Sequence, residues 1–337
     1  MPLPVYYDSD AQPKCIADKT LAVLGYGSQG RAHAMNLRDS GLRVIVAQRP
    51  GGANHQRALD DGFDPVSLEE AATQADILIF TLPDESMGDL HRASIQPQLR
   101  AGQTLGFVHG FNIRFGRIVA PHNVDVIMVA PKGPGSLVRN AYQRGGGLTC
   151  IIAVHQDASG HARDTAIAWG AAIGGGKGGM IESTFAMECE ADLFGEQTVL
   201  CGGVIELMKS AYDVLIEAGF PPEVAYFECI HEVKQIVDLQ YASGLKGMLD
   251  RISNTAAYGG LTRGPRLVTE ETRREMRAIL AEIRSGRFAQ EWLAECATGK
   301  PRLNELTNNE LNHASEAAGR QVRDAAKNAV PTERSKP

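Results

Sequence analysis

The chain has no cysteine cluster, no excess of basic charge and no long apolar run, and each absence removes a class of function. Its six cysteines (Cys15, Cys150, Cys189, Cys201, Cys229 and Cys296) are scattered through 337 residues with no C-x-x-C pair. Neither a zinc ribbon nor a disulfide framework is encoded, and the thiols read as reduced groups of a cytoplasmic protein. Lys and Arg number 34 against 40 Asp and Glu, a net charge of −6, which leaves no electrostatic footprint for nucleic acid or an anionic membrane. No apolar segment reaches the length of a membrane span, and MPLPVYYDSD lacks both the basic start and the apolar stretch of a signal peptide. What is present, 43% hydrophobic residues in a chain of this length, suffices for one large core or two.

The first half alternates short β-rich runs with helical stretches. Strands are predicted at Leu21–Leu24, Val44–Ala47, Ile77–Leu82, Thr104–Val108, Val124–Val129 and Cys150–Val154, with helices around Arg31–Asp39, Leu68–Thr73 and Asp84–His91. That order implies an α/β domain with a mostly parallel, doubly wound sheet. From Glu182 onward strand signals vanish and long helices are predicted at Glu196–Glu217, Pro222–Tyr241 and Thr269–Ala297. A domain boundary is placed near Ile181, after the glycine-rich Gly174–Gly179, giving domains 1–181 and 182–327. The tail over 328–337, polar from Thr332, has the composition of a disordered segment.

Two acidic pairs stand out in the helical half: Asp192 with Glu196 in ADLFGEQ, and Glu228 with Glu232 in YFECIHE. At i,i+4 spacing both carboxylates of a pair share one helical face and repel, so a chain that does this twice has a cation to bind. Four hard oxygen ligands without a His/Cys cluster point to magnesium or manganese rather than zinc. A solvated helix face would explain either pair alone. The apolar flanks, Leu193, Phe194, Val199 and Leu200 around one and Tyr226, Phe227, Ile230 and Val233 around the other, argue against it for both.

A nucleotide signature lies at the first strand-to-helix turn, where LAVLGYGSQGRAHAMNL holds Gly25, Gly27 and Gly30. In a G-x-G-x-x-G turn the first glycine permits the tight bend, the second admits a pyrophosphate to the backbone and the third allows close helix–strand packing. After the next strand, VIVAQRPGGANH offers no Asp or Glu to hold the ribose hydroxyls of NAD, while Arg49 can meet a 2′-phosphate. His109 in GFVHGFNI and Lys132 in VIMVAPKGPG stand where the chain leaves two further strands, the edge at which open α/β sheets bind ligands.

With GYGSQGRAHAMNLRDSG, LPDE, HGFNI, DVIMVAPKGPG, DLFGEQTVLCGG, GFPPEVAYFECIHEVKQIVDL and ISNTAAYGG in view, the chain closely resembles short-form ketol-acid reductoisomerase, also called acetohydroxy acid isomeroreductase. The resemblance spans residues 3 to 325. It implies a Rossmann domain followed by an all-helical, knotted C-terminal domain, and an NADP-dependent enzyme of branched-chain amino acid biosynthesis that uses two Mg2+ ions. It further implies alkyl migration in 2-acetolactate or 2-aceto-2-hydroxybutyrate, then reduction of the new 2-keto group. Asp192, Glu196, Glu228 and Glu232 are then the metal ligands, the second pair from a partner subunit, so that the active sites are shared in a homodimer or a higher oligomer. Ser253 is expected to hold the substrate carboxylate. His109, Lys132 and Glu196 are the expected catalytic residues, with Glu188 orienting ligands or metal-bound water. Gly25, Tyr26, Gly27, Ser28, Gln29, Gly30, Arg49, Asn54, Leu82, Pro83, Asp84, His109 and Gly135 are expected around the cofactor.

Some positions depart from the family pattern. Gly52 and Asn54 stand where many members have two serines for the 2′-phosphate, which weakens the NADPH preference and leaves NADH open. Ala257, Gly260, Ser136, Ala186 and Met187 replace charged or polar residues around the expected site. A specialised relative acting on another 2-hydroxy-3-keto acid or a 2-keto acid, and a non-catalytic nucleotide-binding protein, remain as alternatives.

Overall fold

The structure, a computed structural model, describes residues 3–329, with side chains through residue 324. Most of the expected polar tail lies outside the described residues. The chain packs as two units divided after Ala191.

The first unit is built on an eight-stranded sheet. In chain order the strands are β1 (Val5–Tyr6), β2 (Thr20–Leu24), β3 (Arg43–Ala47), β4 (Ile77–Phe80), β5 (Thr104–Phe107), β6 (Asp125–Pro131), β7 (Cys150–Gln156) and β8 (Met180–Glu182). In space they run β1-β8-β7-β6-β5-β4-β2-β3. The β3-β2-β4-β5-β6 block is parallel throughout, β7 returns antiparallel to β6, and β1 lies antiparallel to β8. Both faces are covered. Leu21, Val23, Val129 and Trp169 belong to one core and Leu24, Leu78, Phe80 and Phe107 to the other, as a parallel sheet requires. All six predicted strands overlap their observed spans; the β6 and β7 predictions stop two residues short of Pro131 and Gln156, and the β4 prediction runs two residues past Phe80. The short β1 and β8 carry no legible alternation.

The division between packed units falls inside the helix Phe185–Gly195, beyond β8. The reason is packing: Phe185 joins the sheet's second core, and Cys189 is fully buried.

The second unit is helical throughout its described residues. Its three long predicted helices are each broken. Glu196–Glu217 divides into a π turn at Glu196–Leu200 and a helix at Gly203–Glu217. Pro222–Tyr241 divides at a π turn over Phe227–His231. Thr269–Ala297 divides at Gly286, whose φ of 80° is left-handed, the conformation glycine adopts without strain. One buried cluster of this unit gathers Tyr212, Ala225, Tyr226 and Ala318, and Ile283 and Ala289 are buried elsewhere in it. Many apolar side chains stand in solvent instead, among them Leu200 at 66% exposure and Tyr241 at 90%. The core-like flanks expected around the acidic pairs are therefore only half realised in one chain: Leu193 and Tyr226 are buried, but Val199, Leu200 and Phe227 are exposed.

Candidate active site

The glycine turn joins β2 to the helix Ser28–Asp39. Gly25 has φ +95°, and a Cβ on Gly30 would lie 2.1 Å from the Gly25 carbonyl oxygen, so the bend and the close helix approach both require glycine. The Thr81 hydroxyl, just past β4, donates to the carbonyls of Leu24 and Gly25 and holds the turn against the sheet. A cavity of about 610 Å³ opens there, lined by Gly25, Gly27, Gln48, Arg49, Asn54 and Leu82 among others. A Cβ on Gly27 would meet nothing within 4 Å, so its backbone is open to a phosphate. Tyr26 and Pro83 also line this cavity, while Gln29 turns away and donates from Nε2 to the Gly133 carbonyl at 2.9 Å. Ser28 and Gly135 begin their helices, and a Cβ on Gly135 would lie 2.0 Å from the Ser28 carbonyl.

Gln48 is a feature that sequence reasoning missed. It occupies the position after β3 where an acid would hold the ribose hydroxyls of NAD, and its Oε1 accepts from the Tyr26 amide at 2.9 Å. Part of the second strand's tip is thus spent on bracing the glycine turn. Tyr26 is fully buried, and its hydroxyl donates to Asp61, which Arg31 also grips through Nε and Nη2.

The second cluster gathers on Glu188, whose side chain is 1% exposed. Lys132 Nζ, beyond β6, lies 2.6 Å from its Oε1. The Gly110 amide donates to Oε2 at 2.9 Å, and His109 Nδ1, beyond β5, lies 3.2 Å from Oε2. Burial alone would lower the His109 pKa, but contact with the Cys189 thiol, the Glu188 carboxylate and the field of Asp84 outweigh it and raise it to about 11. His109 is therefore an imidazolium at neutral pH. Burial pushes Glu188 up, yet His109 and Lys132 outweigh it and hold it ionised. Asp84 is raised by its own burial, and its Oδ1 accepts from Asn112. The sheet thus presents two cations fixed by one buried anion.

Asp192 follows Glu188 by one turn of the helix Phe185–Gly195, and Glu196 opens the π turn after it. Glu228 lies inside the second π turn, which closes with the Glu232 amide donating to the Phe227 carbonyl at 3.0 Å. Both acidic pairs therefore meet π turns, an uncommon geometry that concentrates at functional sites. Among the described residues no three of these four carboxylates offer ligand atoms within 4.8 Å of one another. Ser253 caps the helix Asn254–Leu267, its hydroxyl accepting from the Ala256 amide at 3.1 Å. Its proton is left to donate, beside a helix N-terminus that favours an anion.

Residues 15–179 match the acetohydroxy acid isomeroreductase NADPH-binding domain, and residues 185–328 match the ketol-acid reductoisomerase C-terminal domain. An NADH-preferring ketol-acid reductoisomerase from an uncultured archaeon is 43% identical, with a TM-score of 0.93 over 96% of this chain and 99% of that one. A semialdehyde dehydrogenase NAD-binding protein from Cupriavidus necator shares the fold at 22% identity and a TM-score of 0.57, over 78% of this chain and 99% of that one. A pyrroline carboxylate reductase from Plasmodium falciparum does so at 16% and 0.50, over 80% and 98%.

Proposed function

The chain belongs to the ketol-acid reductoisomerase family, and on that premise we propose that Asp192 and Glu196 of one subunit and Glu228 and Glu232 of another hold two magnesium ions between them. The enzyme is an NAD(P)-dependent ketol-acid reductoisomerase of branched-chain amino acid biosynthesis. It converts 2-acetolactate or 2-aceto-2-hydroxybutyrate to the 2,3-dihydroxy-3-methyl acid by alkyl migration and reduction. Neither a shifted substrate nor a non-catalytic role finds support in the matches.

The donor set fits the ions: all four expected ligands are carboxylates, which are hard oxygen donors. Bound magnesium supplies Lewis acidity, which polarises the ketone and lowers the pKa of the hydroxyl beside it. The chain's own residues do the rest. Ser253 and the helix N-terminus it caps bind the substrate carboxylate. Lys132 and His109, both cationic, stabilise negative charge on the migrating skeleton and hold a proton for the oxygen that is reduced. Glu188 keeps the two in place. Glu196 serves both as ligand and as a carboxylate able to accept the substrate's hydroxyl proton.

Three finer points follow from the same observations. Arg49 lines the cofactor cavity, which supports NADPH as the preferred reductant, while Gly52 and Asn54 in place of two serines leave NADH accepted. Exposed apolar side chains in the second unit support a homodimer with shared sites, or a higher oligomer built from it. The six free thiols support a cytoplasmic location; among the described residues no helix is long and apolar enough to cross a membrane.

The observation that carries the reading is the buried Glu188, holding His109 and Lys132 one turn from Asp192. Oxidation of NADPH with 2-acetolactate, followed by absorbance with and without magnesium, tests it. Turnover should require the metal, and equal rates after chelation would refute the two-metal assignment.

A further inference from the structure

We propose that Gly202 and Gly203 are positioning residues for the Glu196 carboxylate: lacking side chains, they let the backbone wind the π turn whose amides clamp the Glu196 carbonyl. This rests on the reading of Asp192 and Glu196 as a metal pair. In the regular helix that ends at Gly195, each carbonyl accepts from the amide four residues on. At Glu196 the pattern opens, and its carbonyl accepts from the Cys201 amide at 2.8 Å and the Gly202 amide at 3.0 Å.

Winding the chain this way presses residues 202 and 203 onto the preceding turn. A Cβ on Gly202 would lie 2.0 Å from the Gln197 carbonyl oxygen, and one on Gly203 would lie 2.1 Å from that of Thr198. Both obstacles are backbone and cannot swing aside. The demand is for space rather than for handedness, because Gly202 has φ −96° and ψ −76°, within reach of any residue. It is also specific to the turn. A Cβ on Gly195 would meet nothing nearer than Leu200 Cδ1 at 3.9 Å, an ordinary contact.

Any side chain at 202 must therefore displace the backbone of the π turn that begins at Glu196. That loosens the two amides on the Glu196 carbonyl and shifts its carboxylate relative to Asp192 on the turn before. Metal ligands tolerate errors of only about 0.5 Å.

The test is Mn2+ binding to the cofactor-loaded protein, read by electron paramagnetic resonance for the native chain, Gly202→Ala, Gly195→Ala and Asp192→Asn. Gly202→Ala should weaken Mn2+ binding by about tenfold or more, the range for losing a group that orients a ligand. Gly195→Ala should bind Mn2+ within about twofold of native, and NADPH affinity should be unchanged in both glycine variants. A folded Gly202→Ala with native Mn2+ affinity overturns the proposal when Asp192→Asn has lost it. Native affinity in both overturns the metal-pair reading, and the proposal with it. If Gly202→Ala does not fold, hydrogen exchange in the native protein decides. By reciprocity, Mg2+ must slow exchange at the Cys201 and Gly202 amides, and exchange indifferent to saturating Mg2+ overturns the proposal.

Discussion

Lys132 Nζ lies 2.6 Å from Glu188 Oε1, a charge-assisted contact to a carboxylate that is almost wholly buried. The same carboxylate faces the imidazolium of His109. Glu188→Gln would leave two cations side by side without their counter-ion. Turnover with 2-acetolactate should fall by about a hundredfold, while NADPH affinity holds. The His109 pKa, followed by NMR, should drop well below its native value. An unchanged His109 titration would show that Glu188 is not its partner in solution.

Asp192→Asn or Glu228→Gln should abolish isomerisation and leave nicotinamide binding nearly native, since the glycine-turn cavity belongs to the other unit. Near-normal turnover of either variant at low magnesium would remove that residue from the metal set.

Mixing the Asp192 variant with the Glu228 variant should restore part of the activity after subunit exchange. In a mixed dimer one of the two shared sites receives both intact pairs. Continued inactivity of demonstrated heterodimers would place all four carboxylates in one chain's site.

Arg49→Ala should raise the Michaelis constant for NADPH far more than that for NADH. A hydrogen bond to a charged group is worth about 1.5–3 kcal/mol, tenfold or more in affinity. Equal effects on the two cofactors would show that Arg49 does not read the 2′-phosphate, and a native preference for NADH would reverse the assignment of reductant.

Acid should destabilise the first unit well above the carboxylate range. Burial lowers His33 to about 3, and burial, aided by Arg92, lowers His91 to about 4. Between those values and 6.5 the unfolded chain binds protons that the folded chain refuses, so stability rises with pH across that window. At pH 5 each histidine costs about 2 kcal/mol. His109, raised instead, acts in the opposite sense, and its stabilisation begins to fade above pH 6.5, by about 1 kcal/mol at pH 7. Urea unfolding should show a net loss of about 3 kcal/mol from pH 7 to pH 5. Equal stability at the two values would contradict the buried neutral state of His33 and His91.

Much of this protein was legible in its residues because periodic patterns and glycine turns are local. The parallel strands announced themselves as apolar runs, and Gly25 and Gly30 do in space what their spacing implied. What escaped was set by contacts far along the chain or by small departures from helical winding. β1 pairs with residues some 176 positions away and is too short to show alternation. The π turns at Glu196 and Phe227 alter only a few backbone hydrogen bonds, which no hydrophobic pattern reports. Gln48 fills a position where dinucleotide folds usually carry an acid, and its bond to the Tyr26 amide is visible only in space. Of the site, His109, Lys132 and Glu188 could be named from strand ends and helical spacing, but their common contact could not, since it joins three separate segments of the chain.

The pairing of β1 with β8 also sets a timetable. Tyr6 and Glu182 meet across 176 residues, and a ribosome adding about 5–20 residues per second needs roughly 10–35 s to supply the second after the first. Through that interval Val5 and Tyr6 have no strand to join, while β2 to β6 can already assemble. The sheet's outer edge is thus the last to close during synthesis, and closure there fixes the strand that leads directly into the helix bearing Glu188 and Asp192.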